Sequence, residues 1–307
     1  MLPTLSAFIV SFLATYLIMP KLIKKLKNAE IIGKDIHKPT KPLIPEMGGL
    51  GILLGFFLGV SIAYFLLPHY HFLLALVVVF FVGIVGVIDD LVNLSWKEKI
   101  FLLFFSSLPV IFTFPKTIFY LILIPLAFIV VPNLTNMLAG LNGLESGLGS
   151  IVMFFITIVC VILGKFHVTP ISAAMFGSLF AFLLYNKYPA RIFPGDVGTL
   201  TIGACICVVA FFGNIEFIVL IMLMPYIIDA SLKFFSAGIM ERSQHKPTKV
   251  TKDGLLVLPK ERNFNSLIRL LLLKKPMKEN EIVKIIWVIE IIFCILAVLL
   301  TYAYDFV

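Results

Sequence analysis

Long apolar runs alternate with short polar stretches along almost the whole chain. Runs of candidate spanning length lie near residues 5–23, 49–67, 71–88, 100–114, 117–132, 147–164, 170–186, 197–213, 216–235 and 283–303. A helix needs about 20 apolar residues to cross a bilayer, so the fourth and fifth are the shortest of these candidates. The pattern predicts an all-α integral membrane protein, a polytopic bundle of ten transmembrane helices. Most connections are too short to fold separately, so residues 1–307 form a single domain. The exception is the polar segment from Met240 to Glu281, long enough for a small structure on the membrane face.

Composition agrees. Of the 307 residues, 60% are hydrophobic and 14% charged, and the mean hydropathy is +1.07, whereas soluble domains are about 45–50% apolar. Cys160, Cys205, Cys207 and Cys294 all fall inside predicted spans and are expected as free thiols. The first span runs into Lys21, Lys24, Lys25 and Lys27 with no small-residue cleavage site, which predicts a retained helix. All of the 25 Lys and Arg except Lys116 and Lys165 lie in odd-numbered loops or the span ends beside them. By the positive-inside rule the odd loops face the cytoplasm and both termini lie outside. The formal net charge of +8 therefore belongs to one face, suited to anionic lipid or an anionic substrate.

Polar chemistry concentrates in those same loops. The first has Pro39, Pro42 and Pro45, which forbid a helix, then Glu46 and the pair Gly48 and Gly49, expected to turn the chain into the second span. The second opens with Asp89 and Asp90 at the mouth of an apolar span, where adjacent carboxylates ask for a cation or a shared proton. Asn93 would share a face with Asp89 if the helix continued, and Lys99 follows. The third loop holds Asn133, Asn136, Asn142 and Glu145 threaded by glycines, with no Lys or Arg. Such loops bring backbone amides to phosphate. The fourth, from Asn186, sets Asp196 between Gly195 and Gly198. Asp196 reads equally as a Mg²⁺ ligand or as a helix N-cap. The fifth is basic and contains His245 and Lys246. Asp229 and Glu290 are acids inside spans with no catalytic assignment. Together these features point to a cytoplasmic site where a water-soluble diphosphate meets a membrane lipid.

The blocks PEMGG, DDLVNLSWKEK, NLTNMLAGLNGLESG and NKYPARIFPGDVGTL, one per loop and in this order, resemble the polyprenyl-phosphate N-acetylhexosamine-1-phosphate transferases. The resemblance covers essentially the whole chain and extends to the ten-span topology. The bacterial MurNAc-pentapeptide branch carries aspartates in the third block. Ala139 and Asn142 stand there instead, and the fifth loop lacks that branch's run of histidines. The chain is more similar to the dolichyl-phosphate GlcNAc-phosphotransferase branch.

The resemblance implies transfer of GlcNAc-1-phosphate from UDP-GlcNAc to a polyprenyl (dolichyl or undecaprenyl) phosphate with release of UMP, the first step of lipid-linked oligosaccharide synthesis. It implies Mg²⁺, with Mn²⁺ as the alternative, held by Asn136 and Asp196. Lys99 would neutralise a diphosphate oxygen, with Asn93 nearby, while Asp89 and Asp90 orient the lipid phosphate or Lys99. Glu46, Asn133, Asn142, Glu145 and Asn186 would line the substrate pocket, and His245 with Lys246 would reach the sugar. The expected partners are the UDP-sugar, the polyprenyl phosphate and the bilayer, with a homodimer left open and no nucleic acid. Two alternatives remain: the same transfer from another UDP-N-acetylhexosamine or UDP-MurNAc-pentapeptide, and a transporter using the acids as a relay, whose sites would lie near the midplane.

Overall fold

A computed structural model describes residues 1–114, 117–237, 248–259 and 265–304. Five helices make up the first half: α1 (Leu2–Asn28), α2 (Gly49–Leu66), α3 (Tyr70–Val92), α4 (Trp96–Ser106) and α5 (Leu108–Ile111). Then come α6 (Ile118–Met137), α7 (Leu144–Ile162), α8 (Thr169–Asn186), α9 (Gly195–Gly213), α10 (Glu216–Met222), α11 (Met224–Ala237), α12 (Leu267–Leu272) and α13 (Glu279–Tyr304). Two small antiparallel sheets complete the described residues. One pairs β1 (Ile32–Lys34) with β2 (Leu43–Pro45), and the other sets β4 (Leu255–Val257) between β3 (Lys249–Val250) and β5 (Met277–Lys278).

The fold is the expected polytopic helical bundle, with two differences in its spans. Among the described residues eight helices are long and apolar enough to cross a bilayer alone, and α10 with α11, bent by 63° to one another, are long and apolar enough as a pair. The fourth expected span is instead broken into α4 and α5. Ser106 and Ser107 each donate to the carbonyl three residues back at 2.6 Å, and Pro109 follows at the start of α5. This broken pair still traverses the bundle. Lys99 near its start meets the carboxylates at the end of α3, while Phe114 beyond its end packs 5.9 Å from Phe211 at the opposite end of α9.

Helix α9 is the axis, buried at every position from Val197 to Gly213, and it contacts α2, α3, α6 and α8. Lipid tails are as apolar as leucine, so close packing of small residues draws membrane helices together. On α2, Gly51, Gly55 and Gly59 face α1, where an added Cβ would meet Met19, Thr15 and the Ala7 carbonyl. Outward faces such as Val288, Ile292, Leu296 and Leu299 of α13 stay exposed and apolar, as a lipid-facing stripe should. The four cysteines are buried and free, as expected.

The described residues of the five odd-numbered connections converge on one end of the bundle. The first pairs as a hairpin with Ile32 opposite Pro45, as its prolines allow. The turn into α2 is made by Met47 in the left-handed region (φ 62°). Gly48 and Gly49 serve close approach instead: their N–H groups donate to the Phe193 and Pro194 carbonyls at 2.8 Å each, and a Cβ on Gly49 would lie 2.3 Å from the Gly198 nitrogen. At the other end of the bundle the even connections gather around His69, His71, His167 and Phe212.

Candidate functional site

The site forms where α3 ends against the start of α9. On α3, a Cβ at Gly86 would lie 2.4 Å from the Val197 Cα, so only a glycine lets the two backbones approach this closely. Asp89 and Asp90 then sit one turn on, over the first turn of α9. Asn93 ends α3 as a left-handed cap (φ 54°). The helix does not continue, so Asn93 is exposed and leaves the face that Asp89 occupies.

The two aspartates do different work. Asp89 is buried; one oxygen accepts the Leu94 N–H at 2.9 Å and the other forms an ion pair with Lys99. Lys99 lies in the first turn of α4, whose start is fixed by a capping box between Ser95 and Glu98. Its ammonium also reaches Asp196 Oδ2 at 3.2 Å. Asp90 instead accepts the N–H groups of Asp196 at 2.8 Å and Val197 at 3.1 Å, one on each oxygen. These are among the orphan donors of the α9 N-terminus, where the helix dipole favours negative charge. Asp90 thus caps α9 from another helix. Asp196 does not take the N-cap position, which belongs to Pro194, and its carboxylate faces Lys99. Gly195 enters this turn at φ +68°, and a Cβ there would stand 2.5 Å from Asp90 Oδ2.

From α6 comes Asn136, whose Oδ1 accepts the Thr199 hydroxyl at 3.1 Å. Thr199 lies one turn after Asp196, so the amide and the carboxylate are held beside the same turn of α9. Thr135 donates to the Thr199 carbonyl at 2.8 Å. Asn133 shares the helix as expected, but its amide donates to the Ile129 carbonyl at 2.7 Å. The carboxylates of Asp89 and Asp196 on Lys99, with the Asn136 amide oxygen beside the same turn of α9, offer hard oxygen donors of the kind Mg²⁺ takes.

A second polar cluster lies across the glycine-rich connection. Asn142 is buried, with its Oδ1 accepting the Ala190 N–H at 2.7 Å and its amide donating to Asp35 at 3.2 Å. Glu145 is buried and accepts the Gly140 N–H at 2.6 Å. Asn186 accepts the Ser146 hydroxyl at 2.6 Å and donates to the Ile192 carbonyl at 2.9 Å. These three side chains brace the loop from inside. Glu46, half-buried after β2, packs over Gly33. His37 bonds to the backbone of Gly140, and burial pushes its imidazole below its usual range against the opposing pull of Asp35. His245 and Lys246 lie outside the described residues. Asp229 is buried, pairs with Lys233 at 2.7 Å and accepts the Leu267 N–H at 2.8 Å, which docks α12.

Sequence reasoning missed Thr199, although it stands in the same block as Asp196. It also missed Glu279, the first residue of α13, whose Oε1 accepts the Asn142 N–H at 2.6 Å.

Two comparisons bear on this site. The profile of glycosyl transferase family 4 matches residues 72–214. A relative in Methanocaldococcus jannaschii, named "Putative glycosyltransferase", is 39% identical over 95% of each chain. The chain belongs to glycosyl transferase family 4. Another family relative, from Saccharolobus solfataricus, is 32% identical over 98% of this chain and 96% of its own. It is named "Putative UDP-N-acetylglucosamine--dolichyl-phosphate N-acetylglucosaminephosphotransferase". A phospho-N-acetylmuramoyl-pentapeptide-transferase of Caldicellulosiruptor bescii is 29% identical over 96% of each chain. The family match runs from α3 to α9 and so takes in Asp89, Asp90, Lys99, Asn136 and Asp196. Asp35 and Glu279 lie outside it.

Proposed function

We propose that this family 4 member is a multi-pass membrane enzyme that transfers GlcNAc-1-phosphate from UDP-GlcNAc to a polyprenyl phosphate, with its site on the cytoplasmic side and both termini outside. The observation that carries the proposal is the Lys99 ammonium held between Asp89 and Asp196 at the end of an apolar bundle. On this reading, a lipid phosphate entering from the bilayer and a nucleotide diphosphate from water would meet at this position. The names of the archaeal relatives support GlcNAc as the sugar. Asn142, where the pentapeptide branch has an aspartate, supports the same choice. A transporter would place its acids near the midplane, whereas these lie at the helix ends.

An oxygen of the lipid phosphate attacks the phosphorus attached to the sugar. The bond from that phosphorus to the bridging oxygen breaks, and UMP leaves with the electron pair. Polyprenyl-diphosphate-GlcNAc is the other product. The lipid monoester has its second pKa near ~6 and is largely ionised at neutral pH, so no protein base is required. Catalysis of this kind is positioning and charge neutralisation. Lys99 meets charge on the diphosphate oxygens, Asp89 holds the lysine in place, and Asp90 holds the turn that presents Asp196. Asp196 and Asn136 would hold Mg²⁺, or Mn²⁺, which when bound neutralises diphosphate charge.

The test is the identity of the leaving group. Purified protein with Mg²⁺, polyprenyl phosphate and UDP-GlcNAc should release UMP and form a lipid-linked GlcNAc diphosphate, with UDP-MurNAc-pentapeptide a poor donor. Lys99→Ala should lose most of the rate. Release of UDP would mean cleavage at the sugar carbon and would overturn the proposal.

A further inference from the structure

Glu279 opens α13, outside the residues matched to the family. It is buried, yet both of its oxygens are engaged across the chain. One accepts the Asn142 N–H at 2.6 Å, and the other forms an ion pair with Lys38. Lys38 also reaches Asp35 at 3.2 Å and lies 4.2 Å from the centre of the Tyr188 ring. Asp35 in turn accepts the Asn142 amide at 3.2 Å. Asp35, His37 and Glu279 bring their donor atoms within 4.8 Å of one another, a grouping able to hold a metal ion. Here the Lys38 ammonium bonds to both carboxylates and serves as the cation of the cluster, tied to the chain.

We propose that Glu279 and Lys38 are positioning residues for the nucleotide, acting through the glycine-rich connection between α6 and α7. The inference rests on the phosphotransferase reading, in which that connection lines the UDP pocket. Three connections and one helix meet at this cluster: the first through Asp35 and Lys38, the third through Asn142, the fourth through Ala190 and Tyr188, and α13 through Glu279. Gly140 and Gly143 both adopt positive φ, so the loop's own backbone is permissive, and contacts from other elements add to the internal bond from the Gly140 N–H to Glu145 in setting its shape. The backbone bond from Asn142 to a buried carboxylate supplies such a contact. Just before Glu279, β5 pairs with β4. That sheet seats the start of α13, and the fifth connection thereby bears on the loop. The consequence is directional. Loosening the cluster should impair nucleotide binding and leave the separate cluster of Asp89, Lys99 and Asp196 intact.

The experiment uses the full chain in lipid nanodiscs, with UDP binding measured by calorimetry and with kcat and both KM values measured by UMP release. Glu279→Ala should raise the UDP dissociation constant and the KM for UDP-GlcNAc by about ten- to a hundredfold, the weight of one charge-assisted hydrogen bond. The KM for polyprenyl phosphate and kcat should stay within about threefold. Glu279→Gln retains an oxygen to accept the Asn142 N–H and should recover most of the binding. If Glu279→Ala proves too unstable to purify, Lys38→Met provides the test: it leaves the bond from Asn142 to Glu279 in place and removes its charged support, so the KM for UDP-GlcNAc should rise by a smaller factor, about three- to tenfold, with the KM for polyprenyl phosphate and kcat unmoved. Equal effects on both substrates and kcat, or none on UDP, would overturn the inference. A wild-type protein that binds no UDP would instead overturn the phosphotransferase reading.

Discussion

Asp90→Asn is the substitution that most directly tests how the site is built. Asp90 accepts one backbone N–H on each oxygen, from Asp196 at 2.8 Å and Val197 at 3.1 Å. Asparagine keeps one acceptor and turns an NH₂ toward the other N–H, donor against donor. A hydrogen bond to a charged group contributes about 1.5–3 kcal/mol, so the change should cost about 2 kcal/mol in holding the first turn of α9. Expressed wholly as misplacement of Asp196, that is about 30-fold in rate, at about 1.36 kcal/mol per tenfold. The assay is UMP release under saturating substrates, paired with thermal unfolding of the same preparation. We expect kcat to fall about 10- to 100-fold and the unfolding midpoint to fall with it. A fall in kcat with no change in the midpoint would mean that Asp90 acts on substrate directly. Near-normal turnover together with an unchanged midpoint would refute the capping role.

Three further outcomes follow from the geometry. Gly86→Ala pushes a methyl group into the α9 backbone, with the Val197 Cα 2.4 Å away; overpacking by about 1–3 kcal/mol should lower both stability and turnover, and a neutral result would mean that α3 and α9 can separate freely. Asp196→Asn and Asn136→Ala should each suppress turnover and raise the Mg²⁺ concentration needed for half-activity; if they share one ion the double variant should be far from additive, so simple additivity would remove the shared-ligand assignment. Single cysteines at Gly143 and Lys187 in a cysteine-free background should resist an impermeant thiol reagent in intact cells, and labelling there would reverse the proposed orientation.

Much of this was legible in the sequence because membrane chemistry is blunt. Unbroken apolar runs can only be helices, and lysines bunched in alternate connections define one face. The site blocks were visible for a similar reason: Asp89, Asn136 and Asp196 interrupt apolar or glycine-rich contexts where nothing else explains them. The division of labour between Asp89 and Asp90 was not legible. Neighbours in sequence point to different sides of a helix, and what each meets depends on α9, more than a hundred residues away. That α3 stops at Asn93 was not legible for a local reason, since a left-handed cap and a continuing helix differ by a single residue's backbone. The break between α4 and α5 turns on two serines bonding back to their own helix, which hydropathy does not register. Glu279 stayed hidden because an acid at the start of a span looks like a boundary marker until its partners are known.

Electrostatics explains why such a site belongs at the start of α9. Among the described residues, Asp89, Asp90 and Asp196 bring three carboxylates together around the ammonium of Lys99, a balance that would repel both a diphosphate and a lipid phosphate. The dipole of α9 offsets part of it, and Asp90's charge is spent on the two N–H groups that it caps. What remains among the described residues is Asp89 and Asp196 sharing Lys99, two carboxylates to one ammonium. On the proposed reading, Asp196 and Asn136 would hold a divalent cation that supplies positive charge here, and Lys99 would then share its ammonium between Asp89 and phosphate. The lysine has to be close enough to both carboxylates to offset their mutual repulsion, and able to leave one of them when substrate arrives. A position in the first turn of the short, broken α4 suits that requirement better than one on the packed α9 axis, where every neighbour is fixed.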